Sequence, residues 1–188
     1  MIVSRTPFRV SFFGGGTDYP SWFLKNGGTV ISSAIDKYCY ISCRKLPPFF
    51  PHRHRIVYSY IESVVNNEDI KHPVVREVFK WMKVHQGLEV HYDGDLPARS
   101  GLGSSSSFTV GLLNALHANL GNIVSKERLS KEAIFVEQEL VGDHVGCQDQ
   151  VAAAYGGLNK IEFLKDGSFV VEPIIISREK KIQLEEHC

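Results

Sequence analysis

The sequence predicts an α+β domain in which a mixed, mostly antiparallel sheet carries helices on one face. Three observations predict it. The first half of the chain holds runs rich in Val, Ile, Tyr and Phe, separated by Gly, Pro or Asn, which is how strands read. Past Ser104 the apolar residues recur every three to four positions, which is how helices docked on a core read. The chain has 188 residues, 43% of them hydrophobic, enough to bury one sizeable core. No internal repeat or low-complexity linker divides it, so residues 1–188 read as one domain.

In chain order, "RTPFRVSFF" (5–13), "TVISSAIDKYCYISCRKL" (29–46) and "HRIVYSYIESV" (54–64) read as strands. "HPVVREVFKWMKVHQ" (72–86) follows as a helix, with Val74, Val78, Trp81 and Met82 on its apolar face and Pro73 near its start. "GLEVHYDGDL" (87–96) is a short strand. Phe108, Leu112, Leu113, Leu116 and Leu120 mark one face of a second helix that ends near Gly121. "SKERLSKEAIFVEQELVG" (125–142) forms another, with Ser125 and Arg128 in capping positions and Gly142 at its close. "CQDQVAAAYGG" (147–157) is a third, short helix, and residues 158–176 form a hairpin turning at Asp166 and Gly167.

Charge and composition exclude several classes of partner. Lys plus Arg and Asp plus Glu number 21 each, leaving no formal net charge to drive counterion release on nucleic acid. The N-terminus is interrupted by Arg5, Pro7 and Arg9 and does not read as a signal peptide, and no apolar run is long enough to span a bilayer. A cytoplasmic location without membrane or nucleic-acid partners is the expectation. Cys39, Cys43, Cys147 and Cys188 form no C-x-x-C pair and are expected to be reduced, mostly buried thiols.

Three segments carry chemistry. In "LPARSGLGSSSSFTVGLLNAL" (Leu96 to Leu116), glycines and serines precede a helix. A helix start presents unpaired N–H groups and partial positive charge, and Gly101 and Gly103 would let phosphate oxygens approach that backbone. Ser104 to Ser107 add hydroxyls able to cap the helix, donate to phosphate or coordinate Mg²⁺. The segment is no Walker A loop, since no Gly-Lys-Ser/Thr follows. Local chemistry leaves phosphate binding and a Ser-capped turn both open. "RVSFFGGGTDYP" sets Arg9 and Asp18 around a triple glycine, where a backbone must pass close to something. "VEQELVGDHVGCQDQ" places Glu137 on a helix and Asp149 at the start of the next, a position where carboxylates also serve as plain caps.

Taken together, the three segments resemble the GHMP small-molecule kinases, whose phosphate loop P-x-x-x-G-L-G-S-S is matched by "PARSGLGSS" from Pro97 to Ser105. "TDY" (Thr17 to Tyr19) is similar to the sugar-binding motif of galactokinases, and "EQELVG" followed by "GCQDQ" is similar to their metal-binding glutamate and catalytic aspartate segments. Within the superfamily, "RVSFFGGGTDYPSWF", "IDKYCYI" and "RSGLGSSSSFTVGLLNAL" most resemble D-glycero-D-manno-heptose 7-phosphate kinases. Gly15 and Gly16 stand where galactokinases carry a glutamate-histidine pair, which argues against galactose itself.

The resemblance implies a ribosomal protein S5 domain 2-like fold and ATP-dependent phosphorylation of the anomeric hydroxyl of the heptose 7-phosphate, giving the 1,7-bisphosphate for nucleotide-activated heptose. It implies that Pro97, Gly101, Leu102, Gly103 and Ser104 to Ser107 surround the ATP phosphates, and that Ser104 or Ser105 holds Mg²⁺ with Glu137. Asp149 would be the base or orienting carboxylate, Arg9 would stabilise charge beside it, and Gly15, Gly16, Thr17, Asp18 and Tyr19 would meet the sugar phosphate. "HRHR" (52–55) is either a cradle for the 7-phosphate, through Arg53 and Arg55, or an exposed basic loop. Trp22 and Phe23 are expected in the core, and Cys147 beside the site as a small buried residue.

GHMP kinases also carry a C-terminal ferredoxin-like domain, expected here to be absent from the chain, which then reads as a fragment, a truncation or part of a split kinase, with self-association expected through the apolar surface left exposed. The alternatives carried forward are a non-catalytic sugar-phosphate or nucleotide-binding module, and a GHMP kinase for another sugar.

Overall fold

A computed structural model describes residues 1–97 and 100–186. The chain begins with strand β1 (Ile2–Phe13), helix α1 (Pro20–Asn26) and strand β2 (Gly28–Lys45). It continues through β3 (His54–Val57), β4 (Ile61–Val64), α2 (Pro73–Trp81) and β5 (Leu88–Gly94). Three helices follow: α3 (Ser104–Asn119), α4 (Lys126–Phe135), which runs on into a π-helical turn (Val136–Val141), and α5 (Gln148–Tyr155). The hairpin β6 (Leu158–Phe163) and β7 (Phe169–Pro173) and a final helix α6 (Arg178–Glu186) complete the described chain.

The strands form one sheet in the order β4-β3-β5-β2-β6-β7, with β1 on the other edge of β2. Only β3 with β5 is a parallel pairing, so the mixed, mostly antiparallel α+β class holds. The 18-residue β2 is the spine. Its first half pairs with β6, its second with β5, and β1 accompanies both halves.

That long pairing is broken twice, between Pro7 and Arg9 and between Ser11 and Phe13, and the first break sets up the site. Pro7 pairs with Tyr38, but Arg9 pairs with Ala34, so β2 advances four residues while β1 advances two. An irregularity of this kind bends the strand and can re-aim the side chains that follow it. Before it β1 buries Ser4, Thr6 and Phe8 and β2 buries Cys39, Ile41 and Cys43; on the far side β2 buries Val30 and Ser32. Beyond the bulge, Arg9 and Ser11 of β1 are aimed at the start of α5.

Helix α3 lies against β1 and β2 with most of its side chains buried, leaving Ser105, Asn114 and Ala118 exposed. Its approach is close. A Cβ on Gly111 would stand 3.0 Å from Thr6 Oγ1, 3.1 Å from Ile41 Cγ1 and 3.3 Å from Ser4 Oγ. This explains why β1 buries hydroxyls: only short side chains fit beneath the helix, and they find partners. Ser4 Oγ donates to the Gly111 carbonyl at 2.7 Å, and Ser107 Oγ donates to the Pro7 carbonyl at 2.9 Å. Apolar side chains fill the rest. Phe8, Ile41, Val75, Phe79, Leu88, Leu112 and Leu116 belong to the main core, and Phe23, Val30, Val151, Ile161 and Phe163 to a second one between α1, α5 and β6.

Local differences from expectation have physical reasons. Residues 54–64 are two strands rather than one, turning at Tyr58 to Tyr60, where Tyr58 N donates to Tyr60 O at 2.9 Å. Helix α1, seven residues long, shows no periodic stripe in sequence and buries Phe23 alone, leaving Trp22 51% exposed. Adjacent helical positions diverge by about 100°, so the two aromatics could not both face the core. Helix α6 buries nothing, so no apolar pattern announced it. Ser125 caps α4 as expected, accepting from Arg128 N at 3.1 Å, and the Asp166–Gly167 turn forms. Cys39, Cys43 and Cys147 are buried, which pushes their thiols up to about 12, 11 and 11; Cys188 lies outside the described residues. No described helix is long and apolar enough to cross a membrane.

The helix-sheet contact at Gly111 is the tightest test of this packing. Gly111→Val is expected to lower unfolding free energy by about 2 kcal/mol through overpacking, read from the denaturant midpoint. An unchanged midpoint would mean that α3 can lift away from β1 freely.

Candidate active site

Arg9, just past the bulge, ties three elements together. Its Nε and Nη2 each donate at 2.7 Å to the two oxygens of Asp149, a planar fork-to-fork pair, and its Nη1 donates to the Gly101 carbonyl at 3.0 Å. Its backbone N donates to the Leu102 carbonyl at 3.1 Å. One residue thereby fixes the glycine loop relative to the carboxylate at the start of α5.

The loop enters α3 through Gly103, which is the residue before the first helical turn and has φ +77°. A side chain there would be strained and would also meet Arg9 Cγ at 3.2 Å and Asp149 Oδ2 at 3.5 Å, so the position takes glycine on two counts. No side chain caps the start of α3. The idea of a Ser-capped turn is therefore overturned: the four serines lie inside the first helical turn, past the capping position. Ser106 Oγ donates to Glu137 at 2.9 Å, Ser107 reaches β1, and Ser105 is exposed. An uncapped helix start behind a left-handed glycine is an anion-binding arrangement.

Glu137 comes from the π-helical turn that extends α4, and its side chain is 1% exposed. The wider turn re-aims side chains relative to an α-helix, a frequent device at functional sites. Ser106 and Gln150 donate to Glu137 Oε2, while Oε1 accepts no hydrogen bond at ordinary geometry, although Thr109 lies beside it. Burial raises the Glu137 carboxyl above its ordinary value despite these donors, with nearby Asp149 adding to the rise. Ser106 thus supplies a serine hydroxyl to Glu137.

Beside the Arg9–Asp149 pair opens a pocket of about 380 Å³ lined by Arg9 to Gly15, Gly101, Leu102 and Gln148. Of the five residues expected at the sugar, Gly15 lines it. Gly16, Thr17 and Tyr19 stand outside that lining, and Asp18 is buried behind it, 1% exposed. Asp18 accepts from Gly16 N at 3.0 Å and from Gln148 N at 3.1 Å, so it secures the first turn of α5. Pro97 is exposed at the edge of the described loop.

"HRHR" lies elsewhere. Arg55 donates to Glu89 at 3.0 Å, His54 is fully buried with its pKa lowered to about 4, and Arg44 also pairs with Glu89. Arg55 reaches β2 through Glu89 and its partner Arg44, ten positions along β2 from Ala34, the partner of Arg9. That is roughly 30 Å at strand spacing, so the cradle reading is overturned.

A family model for the GHMP kinases N terminal domain matches residues 68–157, which hold the glycine loop, Glu137 and Asp149. A solved D-glycero-D-manno-heptose 1-phosphate kinase from Bacteroides thetaiotaomicron superposes with TM-score 0.85 at 26% identity, covering 95% of this chain and 61% of that one. This chain carries a GHMP kinase N-terminal domain. The D-glycero-alpha-D-manno-heptose 7-phosphate kinase of Campylobacter jejuni is 30% identical to it over 184 residues, 93% of this chain and 54% of that protein. The galactokinase of Pyrococcus furiosus is 30% identical over 174 residues, 87% of this chain and 46% of that protein. These relatives of the GHMP domain are sugar kinases, and the chain spans about half the length of each.

Of the lining residues, Val10 to Gly14 and Gln148 were not among the candidates; the signal for Gln148 in the sequence is its place directly before Asp149. A stability test follows from Glu137. Its raised folded-state value means that its contribution is fully present below the ordinary carboxylate value of 4.5 and is lost as pH rises through the raised value. Glu137→Gln, which cannot ionise, should therefore gain in Tm on the wild type between about pH 4 and about pH 8 in metal-free buffer. A difference that is flat with pH would show that the carboxylate is not held against its ionisation.

Proposed function

We propose that this GHMP domain binds ATP and a sugar phosphate and transfers the γ-phosphoryl group to the sugar's anomeric hydroxyl, with D-glycero-D-manno-heptose 7-phosphate as the substrate. The observation that carries the proposal is that Arg9, which grips Asp149 and the glycine loop leading into α3, also lines the pocket that reaches Gly15. Phosphoryl transfer asks a protein mainly for positioning and charge neutralisation, and this set of groups supplies both.

In this proposal the loop from Pro97 through Gly101, Leu102 and Gly103 to Ser104–Ser107 receives the triphosphate at the α3 start. Arg9 holds Asp149 in one orientation by two hydrogen bonds while neutralising charge beside the reacting centre. Asp149 accepts the hydrogen bond or proton of the attacking hydroxyl. Gly15 leaves room for the sugar, and Gly16, Thr17, Asp18 and Tyr19 support that wall.

The residues present fit Mg²⁺. Glu137 Oε1 and Gln150 Oε1 are buried oxygens without hydrogen-bond partners, Ser106 adds a hydroxyl, and Mg²⁺ takes hard oxygen donors while leaving positions for phosphates and water. Glu137 and Ser106 would hold it, with Ser104 and Ser105 on the phosphate side. When bound, the ion would neutralise charge on the phosphates.

Phosphorus NMR of the chain with Mg·ATP and D-glycero-D-manno-heptose 7-phosphate tests the proposal, the expected result being a new anomeric phosphate signal. Asp149→Asn should lower the rate of its appearance by about 10²–10⁴-fold while leaving ATP binding within about twofold. Unperturbed phosphate signals from both substrates would overturn the assignment.

A further inference from the structure

We propose that Gln148 is the specificity-determining residue of the pocket, presenting a fixed amide donor to an acceptor oxygen of the sugar close to the reacting hydroxyl. The proposal rests on the sugar-kinase reading above. It starts from how the carboxamide is held. Ser11 Oγ donates to Gln148 Oε1 at 2.8 Å, and Gln148 Nε2 donates to Asp18 Oδ1 at 3.4 Å. An ionised carboxylate only accepts, so Asp18 fixes the NH₂ group on its own side and Ser11 fixes the carbonyl on the other. The amide cannot turn over without losing both contacts.

The support behind it is rigid. Asp18 is buried, receives Gly16 N at 3.0 Å and Gln148 N at 3.1 Å, and its own carbonyl accepts from Cys147 N at 3.1 Å. The loop before α5 lies directly against this carboxylate: a Cβ on Gly146 would stand 1.9 Å from Asp18 Oδ2. A side chain held this way loses little freedom on meeting a ligand, which is how a neutral donor becomes selective.

Gln148 faces open space. A Cβ on Gly15 would have Nε2 as its nearest neighbour, at 3.8 Å, with nothing else within 4 Å. The amide carries two N–H groups, one of which is engaged by Asp18; the second has no hydrogen-bond partner among the described residues and borders the pocket. A donor in that place recognises a hydroxyl, ring or phosphate oxygen and rejects an apolar group. Because Asp149 follows it in the chain, an oxygen held on Gln148 settles which neighbouring hydroxyl is offered to Asp149.

The test is calorimetric binding of D-glycero-D-manno-heptose 7-phosphate and, separately, of Mg·ATP to the wild-type chain, Gln148→Met and Ser11→Ala. Met keeps the length and helical position of the side chain and removes the donor. The expected result is a sugar-phosphate Kd raised about tenfold or more in Gln148→Met, with the Mg·ATP Kd within about twofold of wild type. Ser11→Ala, which keeps the donor and frees its orientation, should give a smaller rise in the same Kd alone. Sugar-phosphate binding unchanged in Gln148→Met would overturn the proposal, as would an equal loss for both ligands accompanied by a lowered Tm, the mark of a purely structural role. A wild-type chain that binds Mg·ATP but no sugar phosphate would instead overturn the sugar-kinase reading, and the Gln148 assignment with it.

Discussion

Three residues of β2, Ile35 to Lys37, pass opposite the single residue Phe8 of β1, and the rest of the site depends on that register break. An unbroken pairing would continue the alternation of Ser4, Thr6 and Phe8, and Arg9 would then point away from the helices. The bulge turns Arg9 and Ser11 onto the helical side, where they meet Asp149 and Gln148. Bulges beside active sites commonly re-aim a side chain in this manner. Here two consecutive residues serve different purposes: Phe8 fills the core, and Arg9 builds the pocket.

The second constraint is the closeness of α3 to the sheet. Gly111 lets the helix settle against hydroxyl-bearing residues of β1, and Ser107 bonds to the strand one turn from the helix start. The α3 N-terminus is therefore held by the sheet, and among the described residues no side-chain cap hydrogen bond closes it. A helix whose dipole end is both fixed and open suits the repeated capture and release of an anion.

Around these two contacts the polar groups are costly for stability and ordered for chemistry. Glu137 is buried with an oxygen that no hydrogen bond reaches, and Asp18 is buried with its oxygens turned to backbone and amide donors. Asp149 is held by Arg9 alone among charged partners in the described residues. The difference is instructive: Asp18 is satisfied and acts as architecture, whereas Glu137 retains unmet capacity of the kind a cation meets.

Much of this was legible in the sequence. Strand and helix patterns gave the α+β class, "PARSGLGSS" marked the phosphate loop, and "TDY" and "GCQDQ" marked the segments that meet beside it. These features are local, since glycine at positive φ, helical periodicity and strand composition act over a few residues. The parity of β1 was not legible, because its buried face carries serine and threonine and shows no apolar alternation. Nor could the sequence say that Asp18 would lie behind the pocket and Gln148 beside it, that Ser106 would meet Glu137, or that Arg55 would face Glu89 far from the site. Such outcomes depend on where distant segments cross, and side chains 130 or more positions apart are brought together only by the bulge, the close seat of α3 and the turn into α5. The sequence by itself determined which residues could do the chemistry, and the tertiary packing decided which of them face the same space.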